Sequence, residues 1–187
     1  LEITKAKRQI ILEGPPGTCK TFVANKLARF LSGNQLEGDP DDRMAVVQFH
    51  QTYGYEDFVQ GIRPLTGEDG QLRYELRPGV FRQLCEKAAS DSTNNYVVLI
   101  DEINRGNISR ILGELLYLLE YREESVRLAY SEADDGLFSI PSNVFLIGTM
   151  NTTDRSLTQI DYALRRRFYF YRLMPTEGDK APVLERW

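Results

Sequence analysis

Four short apolar runs punctuate the chain without polar alternation: Gln9-Ile-Ile-Leu12, Ala45-Val-Val-Gln-Phe49, Tyr96-Val-Val-Leu-Ile100 and Val144-Phe-Leu-Ile-Gly148. Such runs fit strands covered on both faces, as in a parallel sheet. Helical spacing lies between them. From Lys20 to Leu31 the apolar positions Phe22, Val23, Leu27, Phe30 and Leu31 recur at the helical period, and the run stops at Gly33, a good C-cap. Pro78 to Ala89 is expected to bury Phe81, Leu84, Cys85 and Ala88. Ile108 to Glu120 presents Ile111, Leu112, Leu115, Leu116 and Leu119 on one broad face. Alternating strands and helices predict an α/β domain with crossover connections, whose ligands sit beyond the carboxyl ends of the strands. Two stretches interrupt the alternation: Leu65 to Leu76, with Gly-Glu-Asp-Gly at its tip, and Val126 to Ile140, with Asp-Asp-Gly. Both read as hairpin insertions. A short helix over Leu157 to Leu164 and a last strand over Phe168-Tyr-Phe-Tyr171 complete the prediction.

With 187 residues, 42% of them hydrophobic, the chain can bury one proper core, so a single compact domain is expected. A formal net charge of −4 argues against a surface whose main task is gripping nucleic acid, because that affinity rests on clustered Lys and Arg. Two cysteines, Cys19 and Cys85, are too few for a disulfide framework, and no C-x-x-C or Cys/His cluster points to zinc. A reducing, cytoplasmic setting is the expectation. No run approaches the roughly eighteen apolar residues of a membrane helix, so no membrane association is expected. The start LEITKAKRQ has neither a signal-peptide core nor an initiator Met, which suggests a segment of a longer protein.

The first run leads into Gly14-Pro15-Pro16-Gly17-Thr18-Cys19-Lys20-Thr21, close to the pattern G-x-x-x-x-G-K-[ST]. Backbone N–H groups of such a loop hold phosphates, the lysine reaches the terminal ones and the hydroxyl binds Mg²⁺. A strand before Gly14 and an amphipathic helix opening at Lys20 supply the required context, since the helix N-terminus favours anions. All eight residues are expected to touch nucleotide, with Thr21 as a metal ligand. Cys19 stands where the pattern has glycine, which reaches unusual backbone angles at no steric cost. A small residue there should strain the loop modestly and still allow binding, either as an inert substitute or as a thiol activated beside Lys20.

The third run ends in Leu99-Ile100-Asp101-Glu102. Asp101 is placed to hold Mg²⁺, and Glu102 to orient and deprotonate an attacking water. The fourth continues into Thr149-Met150-Asn151-Thr152-Thr153-Asp154-Arg155-Ser156. Asn151, on a strand beside the one carrying Asp101, could hydrogen-bond both the γ-phosphate and the water. Asp154 could orient a helper water or cap the following helix. Arg165-Arg166-Arg167 reads either as a solvated face or, in a ring-forming triphosphatase, as fingers for a neighbour's nucleotide, worth about 10³ to 10⁵ in rate. The functional reading favours Arg166 and Arg167. Lone His50 is expected to pack or to make a loop hydrogen bond.

Together these residues resemble the AAA+ superfamily, and within it the McrB-type motors of methylation-dependent restriction systems. The resemblance rests on the phosphate loop, Gln48-Phe-His-Gln-Thr-Tyr-Gly-Tyr-Glu-Asp-Phe58, Asp101-Glu-Ile-Asn-Arg-Gly-Asn107, Met150-Asn-Thr-Thr-Asp-Arg-Ser156 and Asp161-Tyr-Ala-Leu-Arg-Arg-Arg-Phe168. It implies a P-loop αβα core over residues 1–187 with a five-stranded parallel sheet, helices on both faces and two hairpin insertions. The helical lid and the DNA-reading N-terminal domain are expected outside the chain. It also implies an Mg²⁺-dependent GTPase or ATPase in a homo-hexamer, with an McrC-like nuclease-associated partner. Asn151 and Asp154 match the family's signature pair, Arg166 and Arg167 its trans-acting arginines, and Arg105 a further residue facing a neighbour. Two rival readings are a MoxR- or dynein-like ATPase that remodels protein complexes, and a nucleotide-binding scaffold without turnover.

Overall fold

The computed structural model describes residues 7–33, 42–66, 70–132, 136–152 and 162–175. Its strands are β1 (Gln9–Gly14), β2 (Met44–Gln48), β3 (Gln60–Thr66), β4 (Leu72–Pro78), β5 (Tyr96–Asp101), β6 (Val144–Asn151) and β7 (Tyr169–Arg172). Five of them form one sheet in the order β2-β5-β6-β1-β7, and every pairing in it is parallel. The expected α/β core is therefore present, and its strands β1, β2, β5 and β6 fall on the four expected apolar runs.

The helices are α1 (Lys20–Ser32), α2 (Tyr55–Phe58), α3 (Val80–Ser90), α4 (Ile108–Leu112), α5 (Leu115–Glu120) and α6 (Tyr162–Arg167), with a 3₁₀ turn over Ile103–Arg105. Alternate strand residues feed two cores. Ile11, Val98, Ile100 and Leu146 join Phe58, Phe81, Leu84 and the leucines of α4 and α5. Ile10, Leu12, Val97, Leu99, Phe145 and Ile147 meet α1 on the opposite face. The continuous apolar runs of β1, β5 and β6 follow from this double coverage, whereas the edge strand β2 is covered only in part and leaves Val46 57% exposed, contrary to the expectation for that run.

Three expectations are corrected. In α1 the buried positions are Lys20, Ala24, Ala28, Leu31 and Ser32, whereas Phe22 and Phe30 are 50% and 54% exposed. Two alanines let the helix axis lie close to the sheet, and that close face turns the larger aromatic positions outward. The single helix expected over Ile108 to Glu120 is two, α4 and α5, separated at Gly113, whose φ is +48°. A Cβ there would lie 3.0 Å from the Tyr55 ring, so the break admits Tyr55 against the helix pair. The first insertion is a full antiparallel hairpin, β3 with β4, running from Gln60↔Pro78 to Thr66↔Leu72. In the second, the described residues show one bridge, Val126 with Phe138, rather than a ladder. Most of the helix expected over Leu157 to Leu164 lies outside the described residues.

Candidate nucleotide site

The parallel registers bring three strand ends together. Gly14 at the end of β1 lies opposite Asn151 at the end of β6, and Ile100 of β5 opposite Gly148 of β6. The Gly14 carbonyl accepts from Thr152 N–H, and Glu13 O accepts from Leu173 N–H. A Cβ on Gly14 would lie 2.3 Å from the Leu173 carbonyl oxygen, so only glycine fits where the chain turns into the loop.

The loop wraps the N-terminus of α1. Thr18 Oγ1 donates to Pro15 O at 2.9 Å, and Lys20 Nζ donates to the same carbonyl at 2.8 Å. Burial pushes the Lys20 ammonium below its usual range, while Glu102, Asp101 and Cys19 act in the opposite sense. Cys19 caps the helix at φ +54° and ψ +28°, in the left-handed region where glycine is favoured. Thr21 Oγ1 donates to Asp101 Oδ1 at 2.9 Å, which brings together the hydroxyl and the carboxylate expected to serve one cation.

Glu102 also sits in the left-handed region, at φ +53°. Its N–H donates to Thr149 Oγ1 at 3.1 Å, and the same hydroxyl donates to Asp101 Oδ1. Thr149 thus clamps the two acidic residues in one arrangement. The αL turn directs the Glu102 side chain along the sheet edge, where Asn151 Nδ2 donates to its Oε1 at 2.5 Å. Oε2 is buried and accepts no hydrogen bond among the described residues, although Arg105 Nε lies 3.3 Å away as an ion pair. Asn104 Nδ2 donates to the Asn151 carbonyl, securing the strand end from below. Sequence reasoning missed Thr149 and Asn104. For Thr149 the available signal was a polar residue within an otherwise apolar, doubly covered strand end, whereas Asn104 lies in the 3₁₀ turn after β5.

Pro16, Gly17, Cys19, Lys20, Thr21, Phe22, Glu102, Thr149 and Asn151 line a cleft of about 350 Å³. A larger hollow, about 810 Å³, lies between the β3–β4 hairpin and residues 50–57. Its Arg63 is already paired with Asp57, and His50 there makes the expected loop hydrogen bond, Nδ1 to Thr52 Oγ1 at 2.9 Å. The smaller cleft is the better candidate because phosphate-loop amides, a buried lysine and an unsatisfied carboxylate oxygen converge in it.

Of the remaining expected residues, Asp154 lies outside the described residues. Arg166 and Arg167 are at the end of α6, both contacting Glu120, and Arg105 faces Glu102 within the same chain. Among the described residues no group of three His, Cys, Asp or Glu side chains could hold a metal by itself, and no helix is long and apolar enough to cross a membrane.

A known domain family covers most of this chain. The profile of the AAA domain, dynein-related subfamily, matches residues 9–168. The chain belongs to that AAA family. The McrB resemblance is borne out by a relative of that name. The chain is 46% identical over 173 residues to the EcoKMcrB subunit of the type IV methyl-directed restriction enzyme of Escherichia coli (strain K12), covering 90% of this chain and 36% of that protein. It is 27% identical over 208 residues to component YdiS of the type II restriction enzyme BsuMI of Bacillus subtilis (strain 168), covering 93% and 59%. The chain thus spans 36% and 59% of the length of these relatives. A crystal structure of a candidate ATPase from Cytophaga hutchinsonii superposes with a TM-score of 0.55 at 21% identity, over 98% of this chain and 46% of that one. That likeness supports the P-loop α/β fold alone.

Proposed function

We propose that this AAA domain is the nucleoside triphosphatase core of an oligomeric, McrB-like motor in a modification-dependent restriction system, using GTP or ATP with Mg²⁺. The observation that carries the reading is the meeting of Lys20, the Thr21–Asp101 pair and the Glu102–Asn151 pair around one cleft. On binding, the Gly14–Thr21 amides take up the phosphates, and Lys20 exchanges the Pro15 carbonyl for the β- and γ-phosphates. Thr21 and Asp101, two oxygen donors side by side, are the residues that would hold Mg²⁺, a hard cation suited to oxygen ligands. Magnesium, when bound there, neutralises charge developing on the phosphate oxygens.

Glu102 is the general base. Its unsatisfied Oε2 accepts a proton from the attacking water as the water oxygen bonds to the γ-phosphorus and the bond to the β-phosphate oxygen breaks, leaving nucleoside diphosphate and phosphate. Asn151 holds Glu102 Oε1 and is placed to sense the γ-phosphate, with Asp154 as its companion. Arg105 and the Arg166–Arg167 pair are offered to the nucleotide of an adjacent subunit in a homo-hexamer. An McrC-like nuclease-associated partner, and DNA recognition through a domain outside this chain, complete the proposed assembly in a cytoplasmic setting.

The test is turnover by the full-length protein with GTP and with ATP, alongside Glu102→Gln. The variant is expected to keep nucleotide affinity and to lose about 10² to 10⁴ in kcat. Retained turnover would refute the assigned base, and binding without turnover in the unaltered protein would select the scaffold reading. The family's dynein-related description favours one alternative, an ATPase that remodels protein complexes. Turnover stimulated by a protein substrate, with no effect of modified DNA or a nuclease partner, would select it.

A further inference from the structure

We propose that Glu120 is a positioning residue that divides the arginine pair, anchoring Arg167 within its own chain so that Arg166 is presented to the nucleotide of a second copy of this chain. The inference rests on the reading above that arginines at the end of α6 act across a subunit interface, and it narrows that reading to Arg166.

Glu120 closes α5, which packs against α6. Its carboxylate is shared: Oε2 lies 2.8 Å from an Arg167 Nη, and Oε1 lies 3.2 Å from an Arg166 Nη. The two arginines are held very differently. The Arg167 side chain is 17% exposed, and its Nε also donates to the Leu116 carbonyl one turn earlier in α5. Its backbone carbonyl accepts from Gln9 Nε2 at 2.9 Å, and that amide donates to Leu119 O at 2.6 Å as well. Gln9 is 4% exposed and opens β1, the strand that delivers the phosphate loop. Arg167 therefore ties α6 to α5 and to the sheet through both backbone and side chain.

Arg166 contrasts with this. Its side chain is 73% exposed and meets Glu120 through the longer contact, while its carbonyl accepts from Lys7 Nζ at 3.1 Å. The backbone at Arg166 is thus fixed while its guanidinium stands in water. An exposed ion pair is already screened, so a phosphate can displace it, and the guanidinium's planar donor fork suits phosphate oxygens. Because a misplacement of about 1 Å at a reacting group can cost about 10²-fold, a finger on a helix of six residues needs such an anchor.

The experiment measures steady-state turnover, equilibrium nucleotide binding and thermal unfolding for full-length Glu120→Ala, Glu120→Gln and Arg166→Ala. Each is also mixed with full-length Glu102→Gln. We expect Glu120→Ala to lose about tenfold to hundredfold in kcat with KM and nucleotide affinity unchanged, because Lys20, Thr21 and Asp101 are untouched. Glu120→Gln, which keeps an acceptor for Arg167, should recover part of the loss. Mixing with Glu102→Gln should restore turnover to both Glu120→Ala and Arg166→Ala, since an intact base in one subunit then meets intact arginines in the next. Full activity of Arg166→Ala would overturn the interface reading and the inference with it. An impaired Arg166→Ala beside a wild-type kcat for Glu120→Ala would overturn the role of Glu120 alone. So would a Glu120→Ala defect in which nucleotide affinity and unfolding temperature fall together with kcat.

Discussion

Replacing Cys19 with glycine isolates the effect of one side chain on the phosphate loop. Cys19 sits at φ +54° and ψ +28°, where a Cβ crowds its own backbone, at a cost of about 1–2 kcal/mol. Glycine removes that cost but gives the unfolded chain more freedom, worth about 0.4–1 kcal/mol in the opposite sense. The mid-range difference is a net stabilisation of about 0.8 kcal/mol, within a span of about 0–1.6 kcal/mol. For a domain of this size that is about 1–4 °C in unfolding temperature. Cys19→Ala retains the Cβ and should unfold within about a degree of the parent, so the Gly–Ala difference reports backbone strain rather than loss of the thiol. Differential scanning calorimetry on the three full-length proteins, at matched concentration and without nucleotide, makes the measurement. Because the loop already has its left-handed turn, nucleotide affinity of Cys19→Gly should stay within about threefold of the parent. A glycine variant no more stable than the alanine variant would refute the strain argument.

Two further substitutions probe the geometry around the cleft. Gly14→Ala would set a Cβ 2.3 Å from the Leu173 carbonyl, a backbone atom with little room to yield. A loss of about 1–3 kcal/mol is expected by chemical denaturation, together with weakened nucleotide binding, and an unchanged midpoint would contradict the close approach. Thr149→Val removes the hydroxyl joining Asp101 to the Glu102 N–H, leaving that amide unpaired at about 1–3 kcal/mol. Turnover should drop while nucleotide binding persists, and Thr149→Ser should restore it. Equal rates for all three residues at 149 would show that the clamp is idle.

The parallel sheet, the apolar strands at its centre and the phosphate loop were legible along the chain. A doubly covered strand must be apolar throughout, and a phosphate cradle needs its glycines, lysine and threonine at set spacing. The Asp101-Glu102 pair and Asn151 were legible for a related reason: ligands gather where parallel strands end. Tertiary packing decided what spacing cannot encode. Periodicity placed Phe22 and Phe30 inward, yet the small surface of Ala24 and Ala28 sets which side of α1 meets the sheet. The break at Gly113 depends on Tyr55, a residue from a distant element. Thr149, Asn104, Gln9 and Glu120 are ordinary polar residues in the sequence, and their roles arise from partners 46 or more positions away. Local pattern thus determined the strands, the helices and the chemistry at their ends. Contacts between remote segments determined which faces were buried, how Glu102 is aimed and which arginine points into water, because those depend on side-chain volume and hydrogen-bond partners that meet only after the sheet has formed.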